Sequence, residues 1–261
     1  MIMIHELIDS HAHLDSSRLA ADEEGVLARA LEAGVTCVVN AGADMASSRA
    51  SIALAHRSPM VFASVGVHPH DADEVTEADW AELEQLAADE RVVAVGECGL
   101  DFFRDLSPRD VQRDVFARHL ALAERLGMPT IIHCRDAYTE FLEVLRSERQ
   151  APVRGVLHCF QGDDAAAHGA LDMGLHLGIG GSLTFPREEA LRQVVAGLPL
   201  DRLLIETDAP YLTPRPKRGK NEPAYVRFVA ERLAEVLDEP VERVAEVTTA
   251  NARGVFGLSQ G

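Results

Sequence analysis

The chain has 261 residues, 47% of them hydrophobic, enough for one large α/β core or two small ones. Its formal net charge of −17 excludes coating of nucleic acid by bulk charge, though a local cluster of cations can still hold a nucleic-acid substrate over a short range. No apolar run approaches about 18 residues, and the start, MIMIHELID, lacks the basic region and long apolar stretch of a secretory signal, so a cytoplasmic protein with no membrane partner is expected.

The first predicted strand is LIDSHAH (7–13). Alternation puts His11 and His13 on one face at its C-terminal end. Asp9 faces the same way one step deeper, as a partner for a ligand histidine, and Asp15 falls in the following loop. VTCVVNA (35–41) and VFASVGV (61–67) are the next two strands. The third runs into GVHPHDA (66–72), where His68 is placed to donate to a phosphate oxygen or move a proton, and His70 reads as an exposed loop residue. Thr76 and Asp79 form a capping box ahead of Trp80, Leu83 and Leu86.

The fourth strand, VVAVGE (92–97), ends on Glu97. Ser107 reads as an N-cap with Pro108 in the first turn, followed by Val111, Val115, Leu122 and Leu126 at helical spacing and Gly127 as the stop. PTIIHC (129–134) carries His133. Arg135 follows it, either as a planar fork for phosphate or as an ion-pair partner of Asp101 or Asp136. VRGVLHC (153–159) carries His158, LHLGIGG (175–181) is the seventh strand, and RLLIETD (202–208) ends on Asp208. After it, TPRPKRGKNEP (213–223) packs Arg215, Lys217, Arg218 and Lys220 into the densest basic cluster of the chain. Pro223 opens a last helix with Val226, Val229, Leu233 and Val236 on one face. The histidines at 5, 56, 119, 168 and 176 read as structural or surface residues.

Eight strands separated by seven helical patterns and closed by an eighth predict a single (β/α)8 TIM barrel, one domain over residues 1–261. An open doubly wound sheet would carry a glycine-rich turn after the first strand, and none is present. In a barrel, His11, His13, Glu97, His133, His158 and Asp208 all fall at the C-terminal rim, where barrel enzymes build their sites. Six ligands of mixed histidine and carboxylate type exceed the needs of one catalytic zinc. They suit two divalent ions, with Glu97 as the natural bridge and zinc, manganese, nickel, cobalt or magnesium as compatible ions. A carbamylated lysine cannot be that bridge, because no lysine precedes Lys217. The four cysteines, at 37, 98, 134 and 159, include no CxxC pair. Cys98, Cys134 and Cys159 each follow a proposed ligand, so their thiols are expected to point into the packing layer.

Together, DSHAHLD (9–15), GVHPHDA (66–72), VGECGLDFF (95–103), HCRDA (133–137), GVLHCFQGD (155–163), IETDAPYLTP (205–214), KRGKNEP (217–223) and TTANARGVFGL (248–258) resemble the TatD family of metal-dependent deoxyribonucleases, end to end. Cys98 and Cys134 depart from the residues, often Ile and Ser, found there. The resemblance implies a TIM-barrel hydrolase binding two or three divalent ions, with Mg2+ or Mn2+ for activity and Zn2+ or Ni2+ as other occupants. It implies 3′–5′ removal of nucleotides from single-stranded or damaged DNA, with links to DNA repair. The same six residues match the family's ligands.

The expected mechanism makes Asp208 a ligand and general base and Glu97 the bridge. His68, Arg135, Arg215, Lys217, Arg218 and Lys220 steady the phosphate. The alternative is a metal-dependent amidohydrolase or esterase, such as a deacylase of aminoacyl-tRNA. The partner is a DNA substrate, and the protein is expected to act as a monomer.

Overall fold

The computed structural model describes residues 6–148 and 152–258. Eight parallel strands follow one another in chain order: β1 (Leu7–Ala12), β2 (Val35–Asn40), β3 (Val61–Val65), β4 (Val92–Asp101), β5 (Thr130–Arg135), β6 (Gly155–Leu157), β7 (His176–Ile179) and β8 (Leu203–Ile205). A single bridge from Ala12 to Ala209 brings the two ends together. The Asp208 amide donates to the His11 carbonyl at 2.9 Å and the His13 amide to the Ala209 carbonyl at 2.7 Å. The result is a nearly closed TIM barrel, as the strand spacing predicts.

Seven helices fill the crossovers: α1 (Glu23–Glu32), α2 (Met45–Arg57), α3 (Glu77–Leu86), α4 (Arg109–Leu126), α5 (Tyr138–Glu148), α6 (Asp164–Asp172) and α7 (Glu189–Ala196). α8 (Val226–Leu237) follows β8 after a short 3-10 turn that begins at Pro223. Val226, Val229 and Leu233 are buried on its inner face, and Val236 is half-buried. The Thr76–Asp79 capping box forms at the start of α3. Ser107 does not cap α4; its hydroxyl instead lies 2.8 Å from the His70 carbonyl and 2.7 Å from the Asp73 carboxylate, either of which can take its one proton. α4 therefore starts one residue later than expected, from Pro108, and ends at Gly127 in the left-handed region.

One helix more than expected, α9 (Val241–Phe256), closes the other end of the barrel. Ile8, Cys37, Val39, Ala94, Ile131, Val156 and Leu204, from six strands, pack with Ala252, Val255, Phe256 and Leu258 in one apolar cluster. These strand residues form the floor of the barrel interior. Period-two alternation then lifts the side chains two residues on from Ile131 and Val156, His133 and His158, to the layer above. Among the described residues no helix is long and apolar enough to cross a membrane. His5 lies outside the described residues.

Candidate metal centre

The strand ends deliver the functional side chains to one buried pocket mouth. His11 is on β1 and His13 directly after it; Glu97 lies within β4, which continues to Asp101 rather than stopping at 97. His133 is on β5, His158 follows β6, and Asp208 lies three residues beyond β8. Two of the shifts in strand register fall beside these ligands. One lies between Asp9 and Ala12, the other between Val95 and Cys98.

The Glu97 carboxylate divides the pocket into two halves. Its Oε2 lies 3.4 Å from His11 Nε2 and 3.5 Å from His13 Nε2. Asp208 Oδ1 joins this half, 3.5 Å from His13 Nε2 and 3.8 Å from His11 Nε2. The other oxygen, Oε1, lies 2.8 Å from His158 Nε2, 3.1 Å from His133 Nδ1 and 3.4 Å from His68 Nε2. Three overlapping sets of ligand atoms each fit within 4.8 Å: His11, His158 and Asp208; His11, His13 and Glu97; His68, Glu97 and His133.

The donor set fits divalent cations. Imidazole nitrogens and carboxylate oxygens are the ligand types of zinc, manganese, cobalt and nickel, with magnesium toward the oxygen-rich side. Glu97 Oε2 is buried without a hydrogen-bond partner, and two ring nitrogens, His11 Nε2 and His13 Nε2, face each other at 3.2 Å. A buried oxygen with no donor and converging ring nitrogens are what a cation would satisfy.

Burial works to raise the Glu97 carboxyl, but the imidazoles of His158, His68 and His11 outweigh it and hold the group well below the usual carboxylate range. Asp208 is likewise opposed by burial and held below its ordinary value by the hydrogen bond and charge of His13. Burial drives His68 well below the ordinary imidazole value, despite the pull of Glu97. The site therefore keeps Glu97 and Asp208 ionised and His68 neutral, while the neighbouring carboxylates, against burial, raise His13, His133 and His158, whose ring protons a cation would have to displace.

Two carboxylates escaped the sequence reading. Asp101 Oδ2 accepts from His133 Nε2 at 3.1 Å and from His70 Nε2 at 3.0 Å. His70 is therefore not the exposed loop residue expected, because β4 runs on to bring Asp101 beneath it. Glu206 is fully buried; its Oε1 accepts from the Cys159 amide at 2.6 Å and lies 3.5 Å from His158 Nδ1. Alternation contained both signals: Asp101 is two steps of two from Glu97, and Glu206 is one such step from Asp208.

Other expectations are corrected. Asp9 holds no ligand imidazole. Its Oδ1 accepts from the Thr207 amide at 2.9 Å and its Oδ2 from the Thr207 hydroxyl at 2.6 Å, which fixes the backbone next to Asp208. The break in alternation after Asp9 turns its side chain to β8. Arg135 pairs with neither Asp101 nor Asp136; its guanidinium lies 3.7 Å from the Phe103 ring centroid. Cys98 and Cys134 pack into the core as expected. Cys159 does not, because β6 has ended at Leu157 and Cys159 adopts a φ of 48°.

The basic segment after β8 is split. Lys217 Nζ lies 5.1 and 5.4 Å from the ring centroids of Tyr225 and Phe228, and Lys220 Nζ donates to the Arg18 carbonyl at 2.7 Å. Arg215 and Arg218 are exposed. Among the described residues, Arg18, Arg135, Arg215, Lys217, Arg218 and Lys220 have no carboxylate within ion-pair distance. Arginines of the helical shell such as Arg49, Arg57, Arg118 and Arg125 do.

The family model for TatD-related DNases matches residues 8–257. The chain is 41% identical over 254 residues to a metal-dependent hydrolase, YabD, of Bacillus subtilis, spanning 97% of this chain and all of that one. It is 39% identical over 259 residues to the 3′–5′ ssDNA/RNA exonuclease TatD of Citrobacter rodentium, spanning 97% and 98%. The crystal structure of the TatD homologue YjjV from Escherichia coli superimposes with a TM-score of 0.93 at 32% identity, covering 98% of this chain and 100% of that one. With its histidine and carboxylate clusters at the rim of a TIM barrel, the chain belongs to the TatD family of metal-dependent hydrolases.

Proposed function

We propose that the protein is a two-metal 3′–5′ exonuclease acting on single-stranded or damaged DNA. The observation that carries this reading is the division of the pocket by Glu97, one oxygen toward His11 and His13 and the other toward His68, His133 and His158. A carboxylate so placed suits a bridge between two cations, the arrangement that serves an in-line phosphoryl displacement. The unpaired cations of the rim supply what an acidic chain otherwise lacks, a local attraction for the DNA backbone. The relative from Citrobacter rodentium carries a 3′–5′ exonuclease name.

His11, His13, Glu97 and Asp208 would hold one ion, and Glu97, His133 and His158 the second. Magnesium or manganese held there would supply Lewis-acid charge to the scissile phosphate and would lower the pKa of a water. Asp208, kept ionised beside His13, takes the proton from the attacking water. His68, largely buried beside Glu97 Oε1, either completes the second ligand set or donates to a phosphate oxygen. Arg135 and the 215–220 segment steady the phosphate charge as one P–O bond forms to the water oxygen and another breaks.

Chelation with EDTA followed by Mg2+ or Mn2+ tests the reading on a 5′-labelled single-stranded oligonucleotide. Activity lost with the chelator and restored by the ions is expected, with products shortening one nucleotide at a time. Glu97→Ala abolishes turnover while circular dichroism stays that of the wild type. A Glu97→Ala protein that keeps the wild-type rate at saturating metal overturns the proposal. So does a wild type that leaves the oligonucleotide intact but deacylates aminoacyl-tRNA.

A further inference from the structure

Among the described residues, four large hydrophobic side chains are widely exposed: Leu31, Phe103, Leu106 and Tyr211. Leu31 lies on α1, and a single exposed leucine there needs no special account. The other three follow β4 and β8, on the same rim as the ligand pocket. The two aromatic ones are tied one to each half of that pocket.

Tyr211 belongs to the half built on His13 and Asp208. Its amide donates to the Asp208 carbonyl at 2.8 Å, and its ring centroid is 6.1 Å from that of His13. Phe103 belongs to the other half. Its amide donates to Asp101 Oδ1 at 3.0 Å, and Asp101 Oδ2 holds His133. Each ring also carries an arginine over one of its faces. The Arg18 guanidinium lies 5.6 Å from the Tyr211 centroid and the Arg135 guanidinium 3.7 Å from the Phe103 centroid. Neither arginine has a carboxylate within ion-pair distance among the described residues. Even so, Phe103 is 57% and Tyr211 49% exposed, so each ring keeps open surface.

We infer that Tyr211 and Phe103 are stacking platforms for unpaired bases, and that they make the site selective for single strands. The inference rests on the nuclease reading of the pocket. A ring that carries an unpaired guanidinium over one face and keeps about half its surface open offers a nucleotide both parts, surface for the base and a cation for the phosphate. A base inside a duplex has both faces covered by its neighbours and cannot use either ring until it is unstacked. Because both rings are anchored through backbone to ligand-bearing segments, a base stacked on one of them brings its own phosphate toward the metal pocket. Leu106, exposed beside Phe103 on the same loop, widens the apolar surface without adding charge.

A single-stranded oligonucleotide with 2-aminopurine as its 3′-terminal base and phosphorothioate linkages tests this, titrated with the protein in Mg2+ and read by fluorescence. Wild type is expected to quench the probe as the base stacks. Tyr211→Ala and Phe103→Ala should each weaken binding about tenfold, within the range for loss of one base–aromatic contact. At least one of them should abolish the quenching, and Tyr211→Phe should restore both signals. Unchanged circular dichroism and unchanged Mn2+ affinity by calorimetry show that the variants keep the fold and the pocket. Alanine variants that bind and quench like wild type, while wild type degrades an unmodified strand, overturn the platforms and leave the nuclease reading standing. Wild type that quenches the probe but cuts no unmodified strand overturns the nuclease reading and keeps the platforms. Equal affinity of wild type for a blunt duplex overturns the selectivity.

Discussion

Asp101 sets which nitrogen His133 turns to the pocket. Its Oδ2 takes the Nε2–H of His133 at 3.1 Å, which turns Nδ1 toward Glu97 Oε1 at 3.1 Å and leaves Nδ1 as the nitrogen that a cation would take from the neutral ring. The carboxylate itself cannot swing. Its Oδ1 accepts from the amides of Phe103 and Arg104 at 3.0 and 2.7 Å, and the buried Gln112 amide holds the Asp101 backbone on both sides.

Asp101→Asn is therefore a sharper test than Asp101→Ala. The asparagine oxygen would stay on the two amides, which leaves its NH2 facing His133 and His70. His133 Nε2 would then have to accept, and the ring proton would move to Nδ1, where a cation has to bind. Loss of a carboxylate behind a ligand histidine costs about 10–100-fold in metal affinity. Calorimetric titration of Mn2+ or Zn2+ into Asp101→Asn should show a weakening of that order at one of two sites. Unchanged affinity at both would remove Asp101 from the positioning of His133.

Gly178 is the place where one methyl group should reach the pocket. A Cβ there would sit 2.2 Å from Glu206 Oε2 and 3.0 Å from the His158 Cα. Glu206 is buried, holds the Cys159 amide and lies beside His158, so it has nowhere to retreat without moving a ligand. Gly178→Ala is expected to cost about 1–3 kcal/mol in denaturant unfolding, as overpacking does, and to lower metal affinity with it. Gly180→Ala, whose Cβ would meet nothing nearer than 3.8 Å, is the control and should behave as wild type in both assays.

The legibility of the sequence followed the regularity of the backbone. Strand count, order and the convergence of the six proposed ligands at one rim could be read because each lies at or near the end of an apolar run and runs recur at βα spacing. Asp9 was misread because a register shift intervenes between it and Ala12, and alternation fails across such a shift. Asp101 was missed because β4 extends past the apolar segment that announces it, through Gly99, which no hydrophobic pattern marks. Cys159 was misplaced for the opposite reason, since β6 stops short at Leu157. α9 carries a plain helical stripe, Val244, Thr248, Ala252 and Val255. Nothing in a stripe says that it plugs a barrel floor rather than adding to the outer ring. The pairing state of the rim arginines depends on which carboxylates fold beside them, which no local pattern encodes.

His119 gives the fold an acid sensitivity away from the pocket. It is fully buried in α4; its Nδ1 bonds to the Val115 carbonyl at 2.8 Å and its Nε2 accepts from the Val67 amide at 3.1 Å. Burial pushes its pKa down to about 4, against the Val115 hydrogen bond that favours the charged form. Protonation would break the bond that fixes Val67, the residue before His68. Between pH 6.5 and 4 the unfolded chain binds a proton at this position and the folded chain does not, so stability falls as pH falls through that window. The stabilisation is complete above pH 6.5, and about 2 kcal/mol of it is gone at pH 5. Denaturant unfolding in EDTA at pH 7 and pH 5 measures the slope, and His119→Gln, which cannot titrate, should lose less stability between the two than wild type by about that amount. Equal losses in the two proteins would show that His119 is not the group responsible.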